Sequence, residues 1–128
     1  MNPTGSILMT GITGSLGSVL AGRILRSGHR IRAVVRGQSR VKALVRTKQM
    51  LDIVGASYSD QNLEVILGDV CQENLGISSE YLSDVSLVIH CAALLDFTDN
   101  SATRNHQVNV VGTANVLRLA ESLYVPVC

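Results

Sequence analysis

The sequence predicts an α/β fold, a doubly wound parallel sheet of about four strands in the order 3-2-1-4 with helices on both faces. Three observations predict it. Short apolar or alternating runs recur between longer amphipathic stretches, in the order βαβαβαβα. The connections are short throughout, and right-handed crossovers then give a parallel sheet covered on both sides. A three-glycine turn stands between the first run and the first helical stretch.

Ser6 to Thr10 reads as a short buried strand ending at a glycine. From Ser15 to Ser27, Leu16, Val19, Leu20 and Ile24 recur at helical spacing, and Gly28 is placed to end the helix. Arg30 to Arg36 alternates, with Ile31, Ala33 and Val35 on one side, as a second strand does. Gln38 to about Val54 is a second helix with Val41, Leu44, Val45 and Leu51 inward and its basic residues mostly outward. Leu63 to Leu67 is a third strand, ended by Gly68-Asp69, and Leu75 to Ser83 a short irregular helix. Val85 to Cys91 is almost wholly apolar, the pattern of a strand buried on both faces. Ala102 to Leu123 is a long final helix with Val110, Val116, Leu117, Ala120 and Leu123 inward. Tyr124 to Cys128 reads as the first residues of a fifth strand, so residues 1–128 are expected to form one domain, incomplete at its C-terminus. Strand four is then expected to expose a long apolar edge, open to self-association or to the tail of a neighbouring copy.

A length of 128 residues suits one domain with a sizeable core. The 46% apolar content excludes disorder. No apolar run reaches the roughly 18 to 20 residues needed to cross a bilayer. The first residues lack the basic segment and apolar core of a secretory signal. Three cysteines (Cys71, Cys91, Cys128) are an odd number without metal-ligand spacing, so reduced thiols in a cytoplasmic protein, and no metal, are expected. Charge is sharply divided. Nine basic residues and no acidic one precede Asp52, whereas the remainder carries ten carboxylates and only Arg104 and Arg118. That division points to an anionic partner for the first half. Nucleic acid is not expected, because four aromatic residues leave little for base stacking.

The turn Thr10-Gly-Ile-Thr-Gly-Ser-Leu-Gly17 carries the chemistry. A turn this tight needs positive φ at Gly11, Gly14 lets the backbone approach a pyrophosphate, and Gly17 lets helix pack on strand. The helix then aims its free N–H groups and positive dipole end at the phosphates. This is the start of a Rossmann-type dinucleotide site. At the end of strand two, an acid would bond the 2′-hydroxyl of NAD and a base would accommodate the 2′-phosphate of NADP. Arg36 stands there, with no acid between Gly14 and Asp52, so Arg36 is the leading contact, Arg40 a second, and NADP(H) the expected cofactor ahead of NAD.

Four motifs in order resemble the extended short-chain dehydrogenase/reductase superfamily, which includes the epimerase/dehydratase-like enzymes. Thr10 to Gly17 is similar to its Thr-Gly-x-x-Gly-x-x-Gly turn, and Gly68-Asp69-Val70 to the loop whose aspartate bonds the adenine amine. Val88-Ile-His-Cys-Ala-Ala93 is similar to its strand-four ending, whose small residues lie against the cofactor, and Asn109-Val-Val-Gly-Thr113 to its Asn-x-x-Gly-Thr helix. The resemblance implies a cofactor site at Gly11, Thr13, Gly14, Ser15, Leu16, Gly17, Asp69, Val70, Cys91, Ala92 and Ala93, with Asn109 supporting the active site. Val-Val-Arg36, Ile-His-Cys-Ala-Ala and Phe97 look most like the fatty acyl and thioester reductase branch; the 3β-hydroxysteroid dehydrogenase and dihydroflavonol reductase branches share nearly the same pattern. Plain structural readings stand beside these: Asp69 as a turn cap, His90 as a hydrogen-bonded core residue and Cys91 as an inert thiol.

The superfamily's chemistry depends on a Tyr-x-x-x-Lys pair, the lysine charge lowering the tyrosine pKa. Both lysines here (Lys42, Lys48) precede all three tyrosines (Tyr58, Tyr81, Tyr124), so the pair is absent from these residues. The expectation is the cofactor-binding amino-terminal part of an oxidoreductase, unable to turn over a small-molecule substrate by itself. A non-catalytic NADP-sensing or protein-interaction module is the alternative.

Overall fold

A computed structural model describes residues 5–94, 98 and 102–128. Phe97, one of the residues behind the branch resemblance, lies outside them.

The strands β1 (Ser6–Thr10), β2 (Arg30–Val35), β3 (Leu63–Leu67) and β4 (Val85–His90) form one parallel sheet in the order β3-β2-β1-β4. Helices α1 (Ser15–Arg26) and α2 (Arg40–Ile53) connect the first three strands. Period-two alternation divides the core into two layers. Ile7, Met9, Ile31, Ala33, Val35, Leu63, Val65 and Ile89 pack with Ala21, Leu25, Ala43 and Leu51 of α1 and α2. Leu8, Val34, Ile66 and Val88 face Val116, Leu119 and Ala120 of the last helix, with Leu75, Ile77 and Leu82 from the connection before β4.

That connection is two 3₁₀ turns, Glu73–Gly76 and Ser79–Tyr81, rather than one irregular helix. Asn74 and Leu75 adopt left-handed backbone angles there (φ 52° and 57°), which breaks any continuous helix. The final helix is also divided. Residues Ala102–His106 (α3) and Gly112–Leu123 (α4) flank a π-helical turn at Gln107–Val111.

Several residues expected inside are outside. Val41 and Val45 on α2 and Val110 and Leu117 on the last helix are exposed. On α2 the inward stripe is Ala43, Thr47 and Leu51, and Thr47 is fully buried because its hydroxyl bonds the Ala43 carbonyl at 2.8 Å. A small and a back-bonded residue thus replace the valines at the tight helix–sheet contact. On the last helix, the extra residue of the π turn shifts the phase, so Val108, Val116, Leu119 and Ala120 face the sheet.

The edge of β4 is not bare. Val88 N–H donates to Pro126 O (3.0 Å), Cys128 N–H to Val88 O (2.8 Å) and His90 N–H to Cys128 O (2.9 Å). The chain's own tail occupies the fifth-strand position, in parallel register through Val88 and Val127. The expectation of a free edge open to a neighbour's tail is therefore corrected: parallel entry after α4 brings the local tail there first.

Arg32 sits inside this framework. Its guanidinium donates to Glu64 Oε1 (2.6 Å), Tyr81 O (2.6 Å) and Asp84 Oδ1, and Ser6 Oγ also bonds Asp84 Oδ1 at 3.0 Å. The cluster ties β1, β2, β3 and the start of β4 together. Burial pushes the Asp84 carboxyl up, but the Arg32 and Ser6 hydrogen bonds and the Arg32 charge outweigh it and hold the group below its usual range.

Candidate functional site

The carboxyl ends of β1, β2 and β4 open on a cleft of about 440 Å³. In open α/β sheets this is where ligands sit, because neighbouring connections leave to opposite faces there. Its lining includes Gly11, Thr13 and Gly14 from the glycine turn, Arg36 from the end of β2, and Asp69 and Val70 after β3. Cys91, Ala92 and Ala93 line it from beyond β4. Nine of the residues singled out in the sequence thus meet around one space.

The turn is shaped by a steric demand. Gly11 has φ +78°, and a Cβ there would lie 2.4 Å from the Cys91 carbonyl carbon and 2.5 Å from Ala92 N. Backbone therefore crosses backbone at the mouth of the cleft. Gly14 N–H closes the turn onto Gly11 O at 3.0 Å, and Gly14 then caps α1 with no side-chain hydrogen bond. The first N–H groups of a 12-residue helix, with its positive dipole end, are left for an anion.

The other predicted residues are placed differently. Gly17 packs against Gly11 behind the turn, while Leu16 is largely solvent-exposed; neither these two nor Ser15 lines the cleft. Arg40 turns away from it. Its Nε donates to Val65 O at 2.9 Å, and its guanidinium lies 3.6 Å from Glu64 Oε2. One turn and a half further along α2, Arg46 and Met50 do line the cleft. Arg46 donates to the Arg36 carbonyl, which holds the end of β2 against the helix. Sequence reasoning passed over Arg46 among nine basic residues; its position six residues after Arg40, on a different helix face, was the available signal.

Asp69 does two things at once. Its Oδ1 accepts from Cys71 N–H at 2.9 Å, the turn cap of the plain reading, and the residue also lines the cleft. Asn109 stands in the π turn and clamps the loop beyond β4. Its Oδ1 accepts from Leu94 N–H (2.8 Å) and its Nδ2 donates to Leu94 O (3.0 Å). Burial pushes the Cys91 thiol up, as the inert reading requires, with the Cys128 thiol adding to the effect. Among the described residues no cluster of His, Cys, Asp and Glu could hold a metal ion, and no helix is long and apolar enough to cross a membrane.

Residues 9–125 match the NAD-binding family model described as male sterility protein. Among curated relatives, the large subunit of L-2-aminoadipate reductase from Candida glabrata is 31% identical over 91% of this chain and 9% of its own length. Fatty acyl-CoA reductase 1 from Mus musculus is 30% identical over 92% of this chain and 25% of its own length. Among solved structures, the terminal R domain of the myxalamid PKS-NRPS pathway superposes with a TM-score of 0.81 at 29% identity. It covers 96% of this chain, which spans 34% of that one. The PhqB reductase domain from Penicillium fellutanum gives 0.77 at 25% identity, over 99% of this chain and 36% of that one. The chain thus spans 9% to 36% of the length of these four proteins. With the parallel sheet, the glycine turn and the cleft in agreement, the chain belongs to the male sterility family of NAD-binding domains, of the extended short-chain dehydrogenase/reductase type.

Proposed function

We propose that this chain holds NADP(H), in preference to NAD(H), at the amino-terminal part of a reductase that acts on an acyl thioester. The reading rests on Arg36: it ends β2 in the cleft, and Arg46 beside it holds its carbonyl. Two guanidinium groups against one phosphate dianion form charge-assisted hydrogen bonds that a ribose hydroxyl cannot match. The pyrophosphate lies on the Gly11–Gly14 turn at the start of α1. Asp69 reaches the adenine, and Ala92 and Ala93 leave room for the rest of the nucleotide. The cofactor supplies a hydride when bound; these residues bind and orient it.

The thioester substrate is inferred from the fatty acyl-CoA reductase among the relatives. These 128 residues, without Tyr-x-x-x-Lys, bind cofactor and do not turn over. Calorimetric titration with NADPH and NADH separately tests the reading. NADPH is expected to bind roughly 10- to 100-fold more tightly, and equal affinities would defeat it. NADPH oxidation sustained by the purified chain would defeat the non-catalytic part.

A further inference from the structure

His90 ends β4 between the glycine turn and the helix that carries Asn109, and its hydrogen bonds leave only one protonation state. Thr10, nearly fully buried, has one hydroxyl proton and two lone pairs. Ala92 N–H donates to Thr10 Oγ1 at 3.2 Å, and Cys91 N–H divides its proton between Thr10 Oγ1 (3.2 Å) and the Thr10 carbonyl (3.1 Å). The lone pairs are thereby occupied, so the Thr10 proton goes to its third neighbour, His90 Nδ1, at 2.6 Å. On the other side, the Thr113 hydroxyl donates to the Asn109 carbonyl at 2.7 Å. It can then only accept from His90 Nε2, 3.2 Å away. Both ends demand the same ring: neutral, with Nδ1 bare and Nε2 protonated. Burial, which holds this imidazole below the ordinary histidine range, favours the same neutral form.

We infer that His90 is a positioning residue for the cofactor cleft: its bare Nδ1 takes the Thr10 proton, so that Thr10 presents both lone pairs to the Cys91 and Ala92 amides. The inference rests on the dinucleotide reading for its consequence and on hydrogen-bond counting for its mechanism. Without an acceptor at Nδ1, the buried Thr10 hydroxyl must turn its proton elsewhere and withdraw a lone pair; Cys91 N–H keeps the Thr10 carbonyl, so the loss falls on Ala92 N–H. Those two residues line the cleft and lie against Gly11, so the wall and the glycine turn lose register together. The Nε2 arm ties the same ring, through Thr113 and Asn109, to the clamp on Leu94.

The test uses His90→Phe, which removes both ring nitrogens, His90→Asn, which restores an acceptor near Nδ1, and Thr113→Val, which cuts only the outer arm. Long-range proton–nitrogen correlation spectra of the labelled wild-type chain should show one tautomer for His90, with Nδ1 bare. A protonated Nδ1 overturns the inference outright. Thr113→Val should leave Nδ1 bare, because the Thr10 end by itself fixes it, and a mixture of tautomers in that variant counts against the inference. In His90→Phe the Ala92 amide should exchange faster with solvent than in wild type, while the Cys91 amide, held by the Thr10 carbonyl, and those of β3 are unaffected. NADPH and NADH should both bind roughly three- to tenfold more weakly. His90→Asn should recover both properties to within about twofold of wild type. Equal losses in the two variants would show that ring volume matters rather than the acceptor, and would overturn the inference. If the wild-type chain binds neither nucleotide, the dinucleotide reading fails on its own, since the tautomer and the amides report on the network without ligand.

Discussion

A Cβ placed on Gly17 would stand 1.9 Å from the carbonyl oxygen of Gly11 and 2.7 Å from its carbonyl carbon. Helix α1 rests directly on the turn that precedes it, and both contacting atoms are backbone. The same oxygen accepts the Gly14 N–H that closes the turn, so it cannot retreat without opening the turn.

Gly17→Ala should therefore cost about 1–3 kcal/mol of stability, the range for forcing a methyl into a packed contact, and should abolish nucleotide binding. Gly14→Ala is the contrast. Its Cβ would stand 3.4 Å from the Gly11 oxygen, an ordinary approach, so the melting temperature should stay near wild type while nucleotide affinity falls. Thermal unfolding and calorimetry on the two variants separate fold from cradle.

Arg36 and Arg46 should not act independently. Because Arg46 holds the Arg36 backbone, Arg46→Ala is expected to weaken NADPH binding roughly tenfold, and the double variant to lose less than the sum of the singles. NADH affinity should hardly move in any of them. Additive losses, or equal losses for NADH, would show that the two arginines do not share one phosphate.

The Arg32 cluster makes a pH prediction. The folded Asp84 carboxyl lies below its usual range, so its stabilisation is complete above the unfolded value of about 4 and is lost as pH falls through the lower folded value. Thermal stability should drop on acidification below about pH 4, and Asp84→Asn should flatten that part of the profile. Nucleotide binding near neutrality should be untouched, since none of the cleft lining belongs to this cluster.

Deleting residues 125–128 removes three hydrogen bonds to β4 and uncovers its edge. The shortened chain should melt lower and sediment as larger species at micromolar concentration, because a bare apolar strand pairs with whatever strand it meets. A monomeric, equally stable deletion variant would show that the tail contributes nothing.

Strand positions and their order were legible because short apolar runs, glycine punctuation and right-handed crossovers leave few arrangements. That the glycine turn, Arg36 and Asp69 line one cleft was legible because each follows the carboxyl end of a strand in the same parallel sheet. Arg46, Arg40 and the outward valines were not. Which of two arginines on one helix reaches a cleft depends on a helical phase set by Thr47, whose burial no hydrophobic pattern shows. The π turn adds a residue that a single 3.6-residue period cannot accommodate, which leaves Val110 outward, whereas Leu117 falls just off the narrow stripe of Val116, Leu119 and Ala120 that α4 turns to the sheet. The His90 network was visible only as a histidine in an apolar strand; its partners Thr10 and Thr113 are 80 and 23 residues away.

The tail beside β4 also says something about the order in which the molecule assembles. Joining Val127 to Val88 closes a loop of about forty residues, an entropic cost of roughly 3 kcal/mol before its hydrogen bonds compensate. Among the described residues the other ladders are parallel as well, so none of them is a hairpin and each pairing waits on a crossover. The tail rests on β4 through three hydrogen bonds at the edge of the sheet, so its ladder is expected to form last and open first, with the Cys128 amide exchanging ahead of those in β1.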